Sequence, residues 1–177
     1  MSGTWRAMRG ADLDTLLDVA AVVHPGYPEE RAVFAERLRL YPAGCRMAER
    51  DGAVVGYAVL HPGRLGEPPK LDSMLGRLPD GADCLYLHDV ALLPAARGSG
   101  LGAAALEYAW GLAAREGFAW LALTSTPEAR GYWDRQGFAA WAEQPAALET
   151  YGGGMTYMVR KVLPPPLTPP PLCRGGG

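Results

Sequence analysis

Cys84-Leu85-Tyr86-Leu87-His88-Asp89-Val90-Ala91-Leu92-Leu93-Pro94-Ala95-Ala96-Arg97-Gly98-Ser99-Gly100-Leu101-Gly102 is the stretch that decides the fold. An apolar, strand-like run over residues 84–92 stops at a glycine-rich turn. The turn feeds a helical pattern over residues 101–116, which Gly117 ends. A strand that gives way to a helix through such a turn leaves several backbone N–H groups unpaired and pointing one way, a concavity suited to phosphate. Glycine permits both the tight turn and a close approach to the backbone. Arg97 adds a planar, charged fork beside it. Read from these residues alone, the turn either seats a nucleotide-like cofactor or simply caps a structural helix.

The glycines lie past the middle of the chain, with a single strand-helix-strand unit around them, and no lysine follows Gly102. A dinucleotide-binding fold places its glycines after the first strand, with an acidic residue about twenty positions on. Neither that fold nor a nucleoside-triphosphate loop is well matched.

Upstream, residues 4–8 read as a short strand. Asp12 is a helix-cap candidate, and Leu13, Leu16, Leu17 and Ala20 form a helical stripe. His24-Pro25-Gly26-Tyr27-Pro28 breaks that helix, and a second is expected over 29–40. A hairpin follows, with strands at 46–49 and 54–60 around Asp51-Gly52, a strong two-residue turn signal. Residues 62–83 are rich in Gly and Pro, with a short helical piece expected at 71–78. Downstream the pattern predicts a strand at 120–124, a short helix at 127–136, and strands at 138–142 and 155–162.

The chain has 177 residues, enough for one domain with a sizeable core, expected over 1–162. From residue 163 the composition turns to proline and glycine, and the tail 163–177 is read as a disordered extension of polyproline character. A net charge of -2 gives no basic excess for nucleic acid or an anionic membrane. No stretch is apolar enough to span a bilayer or serve as a signal peptide, so a cytoplasmic location is expected. Three cysteines, Cys45, Cys84 and Cys173, form no disulfide framework, the first two reading as buried thiols. Three histidines without clustered ligand spacing argue against a metal site.

The element order is strand, two helices, three strands, helix, strand, helix and two strands. Within it sit Tyr86-Leu87-His88-Asp89-Val90-Ala91-Leu92, the Arg-x-x-Gly-x-Gly turn, and Ala129-Arg130-Gly131-Tyr132-Trp133-Asp134-Arg135-Gln136-Gly137-Phe138. Together these resemble the GCN5-related N-acetyltransferase (GNAT) superfamily over residues 3–162. The resemblance implies an α/β acyl-CoA N-acyltransferase fold. Its central sheet is mixed but mostly antiparallel, flanked by about four helices, with a V-shaped splay between strands 4 and 5. The implied donor is acetyl-CoA, whose pantetheine arm would pair with backbone at Val90, Ala91, Leu92 and Leu93. Its pyrophosphate would sit on Arg97, Gly98, Ser99, Gly100, Leu101, Gly102 and Ala103. Thr126 stands where many relatives carry an asparagine that touches the arm. Trp133 stands where many carry a proton-donating tyrosine, so Tyr132 is the candidate donor to the leaving thiolate, with solvent as the alternative.

For the base, His88 and Asp89 are candidates. Strand alternation predicts that they face opposite sides of the sheet, with His88 sharing a face with Tyr86 and Val90. His88 is read either as a proton relay or as a core-edge histidine bonded to backbone. Asp89 either orients the acceptor amine or caps a neighbouring loop. The implied acceptor cleft lies under the loops 24–30 and 143–154, where Tyr27, Tyr151, Trp141 and Glu149 are candidate lining residues. Tyr27 packing on Trp5 and Trp141 in a core or interface are the structural alternatives. The implied reaction is acetyl transfer to a primary amine of a small molecule. The alternatives are a protein N-terminus or lysine as acceptor, or an inactive CoA-binding regulator. A homodimer is compatible with the pattern.

Overall fold

The computed structural model describes residues 2–162, and the tail from 163, including Cys173, lies outside them. Seven strands form one sheet: β1 (Thr4–Ala7), β2 (Cys45–Arg50), β3 (Ala53–Gly63), β4 (Cys84–Leu92), β5 (Trp120–Ser125), β6 (Ala139–Ala140) and β7 (Thr156–Lys161). Their order is β1-β2-β3-β4-β5-β7-β6, and only β4 and β5 pair in parallel. The sheet is therefore mixed and mostly antiparallel, as expected.

Four α-helices flank it among the described residues: α1 (Leu13–Val23), α2 (Arg31–Leu40), α3 (Leu101–Glu116) and α4 (Arg130–Arg135). Helices α1, α2 and α3 lie where apolar side chains recur at helical spacing. Helix α1 buries Leu13, Leu16 and Val19 against Met47, Tyr57 and Val59 of the sheet. Helix α3 buries Leu106, Ala109, Leu112 and Ala113 against Leu85, Leu87, Leu121 and Leu123 on the opposite face. Each fully buried leucine contributes about 1.5–3 kcal/mol. The sheet is thus a wall between two apolar layers, with α1 and α2 on one side and α3 and α4 on the other.

Several boundaries move. Helix α2 begins at Arg31, because Glu29 and Glu30 precede it in extended chain. Strand β3 runs on through Pro62, and β6 shrinks to two residues. Helix α4 starts at Arg130, after a turn in which the Thr126 hydroxyl accepts the Ala129 N–H at 3.2 Å. The helical piece expected at 71–78 is absent: the segment is a chain of turns. Asp72 sits at φ 54° and Gly76 at φ 75°, both outside the right-handed helical region. Its amides are taken by side chains elsewhere, with Leu75 and Gly76 donating to the Glu36 carboxylate at 2.6 and 3.0 Å.

Candidate active site

Two backbone features position the site, and both lie in β4. Pairing with β5 runs from Cys84–Trp120 to Leu87–Leu123 and then ends. Beyond that point β4 stays with β3 as far as Leu92, while β5 stays with β7 as far as Ser125. The two central strands splay, and the β5-facing edge of residues 88–92 has no strand partner. That edge is a row of free amide and carbonyl groups.

The second feature is a bulge at the same place. Leu60 pairs with Leu87 and Val59 with Asp89, so His88 is the unpaired extra residue. A bulge resets the alternation of side chains. Leu85, Leu87 and Val90 accordingly face the α3 layer, whereas Tyr86, His88, Asp89 and Ala91 all face the α1–α2 side. The expectation that His88 and Asp89 point to opposite faces is corrected, as is the placing of Val90 beside His88. Simple alternation fails because one residue is inserted between them.

The two side chains still do not form one pair. His88 Nε2 lies 2.8 Å from Glu29 Oε1, with side-chain exposures of 1% and 7%. Asp89 is held at both oxygens, by His24 Nε2 at 2.9 Å and by the Tyr57 hydroxyl at 2.5 Å. Burial alone raises the Asp89 pKa, but the hydrogen bonds from His24 and Tyr57 and the His24 charge outweigh it and hold the carboxyl below its usual range. For His24, burial lowers the pKa and the Asp89 hydrogen bond and charge more than reverse it, leaving the imidazole above its usual 6.5. Asp89 thus ties the end of α1 to β4, whereas His88 keeps Nδ1 without a partner among the described residues.

Behind His88 lies a buried polar cluster. His61 is 2% exposed, and its Nδ1 lies 2.9 Å from the Pro62 carbonyl. Burial, then the neighbouring His88 ring, push its pKa down to about 3, so it is neutral. The hydroxyls of Tyr86 and Thr124 are 2.8 Å apart, across β4 and β5. Burial raises the Tyr86 pKa well above the ordinary value, so its hydroxyl stays protonated. A cleft of about 310 Å³ opens on Glu29 and Phe34, the neighbours of His88, and not on His88 itself; it is lined by His24, Tyr27, Glu29, Phe34 and Asp89, with Leu17 and Ala20 as its apolar wall.

On the opposite side of the splay sits the glycine-rich turn. Gly98 and Gly100 have φ of 76° and 87°, left-handed conformations that disfavour any side chain. Ala104 N–H donates to the Gly100 carbonyl at 3.0 Å, so the N–H groups of residues 101–103 lie ahead of the first α3 bond and point out of the helix. Arg97 is exposed beside them. The Ser99 hydroxyl turns back to the Ala96 carbonyl at 2.5 Å, shaping the turn. The Leu101 side chain is buried, and its carbonyl accepts the Trp5 indole N–H at 3.0 Å. Tyr132 reaches over from α4: its hydroxyl would lie 3.4 Å from a methyl placed on Gly102, whose other neighbour is Leu92 at 3.8 Å. Trp133 turns instead into the α3 layer, edge-on to Phe138. Burial raises the Tyr132 pKa, so it too remains protonated.

Of the residues expected around the acceptor, Tyr27 lines the cleft and stands 6.3 Å from Tyr151, ring to ring. Trp141 packs edge-on to Tyr157, and Glu149 is exposed. Trp5 packs with Leu101 on the far side of the sheet, so it gives Tyr27 no support. Glu29, His24, His61 and Arg37 belong to this region without having been singled out from the sequence. Among the described residues, no group of three His, Cys, Asp or Glu side chains is arranged to hold a metal ion.

The sequence profile of the acetyltransferase (GNAT) family matches residues 11–138. No curated protein matches significantly. Among solved structures, Ard1 from Thermoplasma volcanium superposes with a TM-score of 0.73 at 19% identity, over 92% of this chain and 99% of that one. A GNAT-like decarboxylase, GphF, in complex with isobutyryl-CoA gives 0.73 at 18% identity, over 90% and 100%. The PaiA N-acetyltransferase from Thermoplasma acidophilum in complex with coenzyme A gives 0.66 at 16% identity, over 91% and 99%. At these identities the likeness is one of fold.

Proposed function

The chain belongs to the GNAT acetyltransferase family, and from that premise we propose that it transfers the acetyl group of acetyl-CoA to a primary amine of a small molecule. The observation that carries this reading is the coincidence of three features at His88: the end of β4–β5 pairing, the bulge, and a buried carboxylate–imidazole pair with one ring nitrogen left open. Several solved relatives of the same fold are in complex with coenzyme A or an acyl-CoA, which supports the donor.

In this reading the free edge of residues 88–92 takes the pantetheine amides, much as it would take an added strand. The N–H groups of residues 101–103 receive the pyrophosphate at the positive end of α3, with Arg97 adding charge. The two substrates then meet through the splay, donor from the α3 side and amine from the cleft. A protonated amine has no lone pair to attack with. His88 Nδ1 is the acceptor for its proton, and Glu29 holds the ring and stabilises the imidazolium that forms. The nitrogen adds to the thioester carbonyl, the tetrahedral intermediate collapses, and the C–S bond breaks. Tyr132 donates its hydroxyl proton to the departing thiolate and regains one from solvent. The products are the N-acetylated amine and free coenzyme A, with one proton released overall. Asp89, saturated by His24 and Tyr57, positions the α1–α2 loop rather than touching the amine.

A cleft of about 310 Å³ suits a small acceptor. Calorimetric titration with acetyl-CoA, followed by an amine panel read by thiol release, tests the proposal. Saturable binding and turnover of small primary amines are expected. Absence of acetyl-CoA binding by folded protein overturns it.

A further inference from the structure

Arg37 is 0% exposed, yet only one of its three nitrogens is occupied. Nη1 donates to the Ser73 carbonyl at 2.8 Å and to Glu36 Oε1 at 3.1 Å. Nε and Nη2 have no partner among the described residues. Those two share the side-on edge of the guanidinium, the edge that grips a carboxylate through two parallel N–H···O bonds. A buried donor left unmade is costly, and more so when it is charged.

Among the described residues no carboxylate bonds that edge. Glu36 spends Oε1 on Leu75 N–H and Arg37 Nη1, and Oε2 on Gly76 N–H. Glu29 spends Oε1 on His88 and Oε2 on the Asp72 N–H at 3.0 Å. Burial lowers the Arg37 pKa in spite of both acids, the sign of a charge its surroundings have not fully balanced. Nor is the edge isolated. The Arg37 charge is near enough to bear on the ionisation of His61 and Tyr151. His61 Nε2 and His88 Nδ1 are the other unpartnered nitrogens there, their rings 5.9 Å apart. Two open donors and two open ring nitrogens therefore lie behind the cleft wall: Glu29 and Phe34 line the cleft, His88 is bonded to the first and edge-on to the second at 6.3 Å, and Phe34 is one helical turn before Arg37.

We propose that the acceptor is an amino acid, an amine that carries its own carboxylate, and that the side-on edge of Arg37 receives this carboxylate while the amine faces His88. The assignment rests on the acetyltransferase reading above and narrows it. A carboxylate supplies two acceptors to the two orphaned donors at once, and the amine supplies the proton that His88 Nδ1 lacks. Arg37 then selects the acceptor, and the apolar wall of Leu17 and Ala20 meets its side chain.

The test is made on the unmodified protein at saturating acetyl-CoA. Amino acids of increasing amine-to-carboxylate spacing are each compared with their own carboxamide and decarboxylated amine. The expected result is a kcat/KM preference of about 10- to 150-fold for the acid in at least one set. In Arg37→Gln that ratio should fall towards one. Arg37→Lys should restore only part of it, since a lysine is a point charge and not a fork. Equal turnover of acids and amides overturns the assignment while leaving acetyl transfer standing; binding of acetyl-CoA with no amine of either kind accepted overturns it as well and leaves only donor binding. Failure to bind acetyl-CoA strikes the acetyltransferase reading itself. Should Arg37→Gln not fold, the comparison on the unmodified protein decides.

Discussion

Acidification should loosen the acceptor side of this protein through His61. The ring is buried at 2% exposure, its Nδ1 is committed to the Pro62 carbonyl, and its other nitrogen meets no acceptor among the described residues. A proton on that nitrogen would be a second positive charge near Arg37. The unfolded chain takes up the proton near pH 6.5 and the folded one only near pH 3. Below pH 6.5 the unfolded state therefore binds more protons, and stability falls as pH falls. The slope is about 1.4 kcal/mol per pH unit, about 5 kcal/mol across the whole window. That is comparable with the entire stability of many domains. His24 works in the opposite sense: its folded pKa is raised, so its contribution is complete below pH 6.5 and fades as pH rises through the folded value. Comparing the protein with His61→Leu, which removes only the buried ring's titration, cancels His24 and the carboxylates. Urea unfolding at pH 7, 5.5 and 4 should show the variant losing about 1.4 kcal/mol less per unit below pH 6.5. Parallel stability curves, or a His61 ring signal that titrates near 6.5 by NMR, would refute the reasoning.

Three further outcomes follow from the geometry. Gly100→Val forces a β-branched residue to φ 87°, and should cost about 1–3 kcal/mol in a melt. Because nothing among the described residues crowds that position, acetyl-CoA affinity measured by calorimetry should fall at least about tenfold through displaced N–H groups; unchanged affinity in folded protein removes the turn from the donor site. His88→Ala should lower kcat by about 10²- to 10⁴-fold with acetyl-CoA binding little altered. Glu29→Gln should lose less, and equal activity in both variants withdraws the base. Asp89→Asn should bring the His24 pKa down, because burial then acts without the opposing charge; an NMR titration in which His24 stays high means another group holds it.

The order of elements and the placing of the glycine turn were legible because they depend on local punctuation: Pro25 and Gly26 after α1, Asp51-Gly52 in the β2–β3 hairpin, Gly98 and Gly100 before α3. Side-chain direction in β4 was not legible. Alternation assumes unbroken pairing, and the bulge at His88 is a property of the neighbouring strand's register. Nor did anything local distinguish Glu29 from the surface acids around it. Its role appears only when the loop before α2 folds back on β4. Arg37 and Glu36 look like ordinary helix charges, yet they are buried because residues 71–76 lie over them as turns, with amides that need those side chains. The pattern that suggested a helix there came from apolar residues whose backbone is claimed by tertiary partners.

That same segment joins two parts of the chain that have no bond to one another. Asp72 exchanges hydrogen bonds with Glu29 and Glu30 before α2, and Leu71 donates to the Thr150 hydroxyl in the turn before β7. The neighbouring Glu36 and Arg37 bonds rivet it to α2. Mechanically, the loop that lines the cleft and the turn before β7 share one strut. A load on either one is passed to the other, and on the β7 side it crosses a single hydrogen bond among the described residues, Leu71 N–H to the Thr150 hydroxyl.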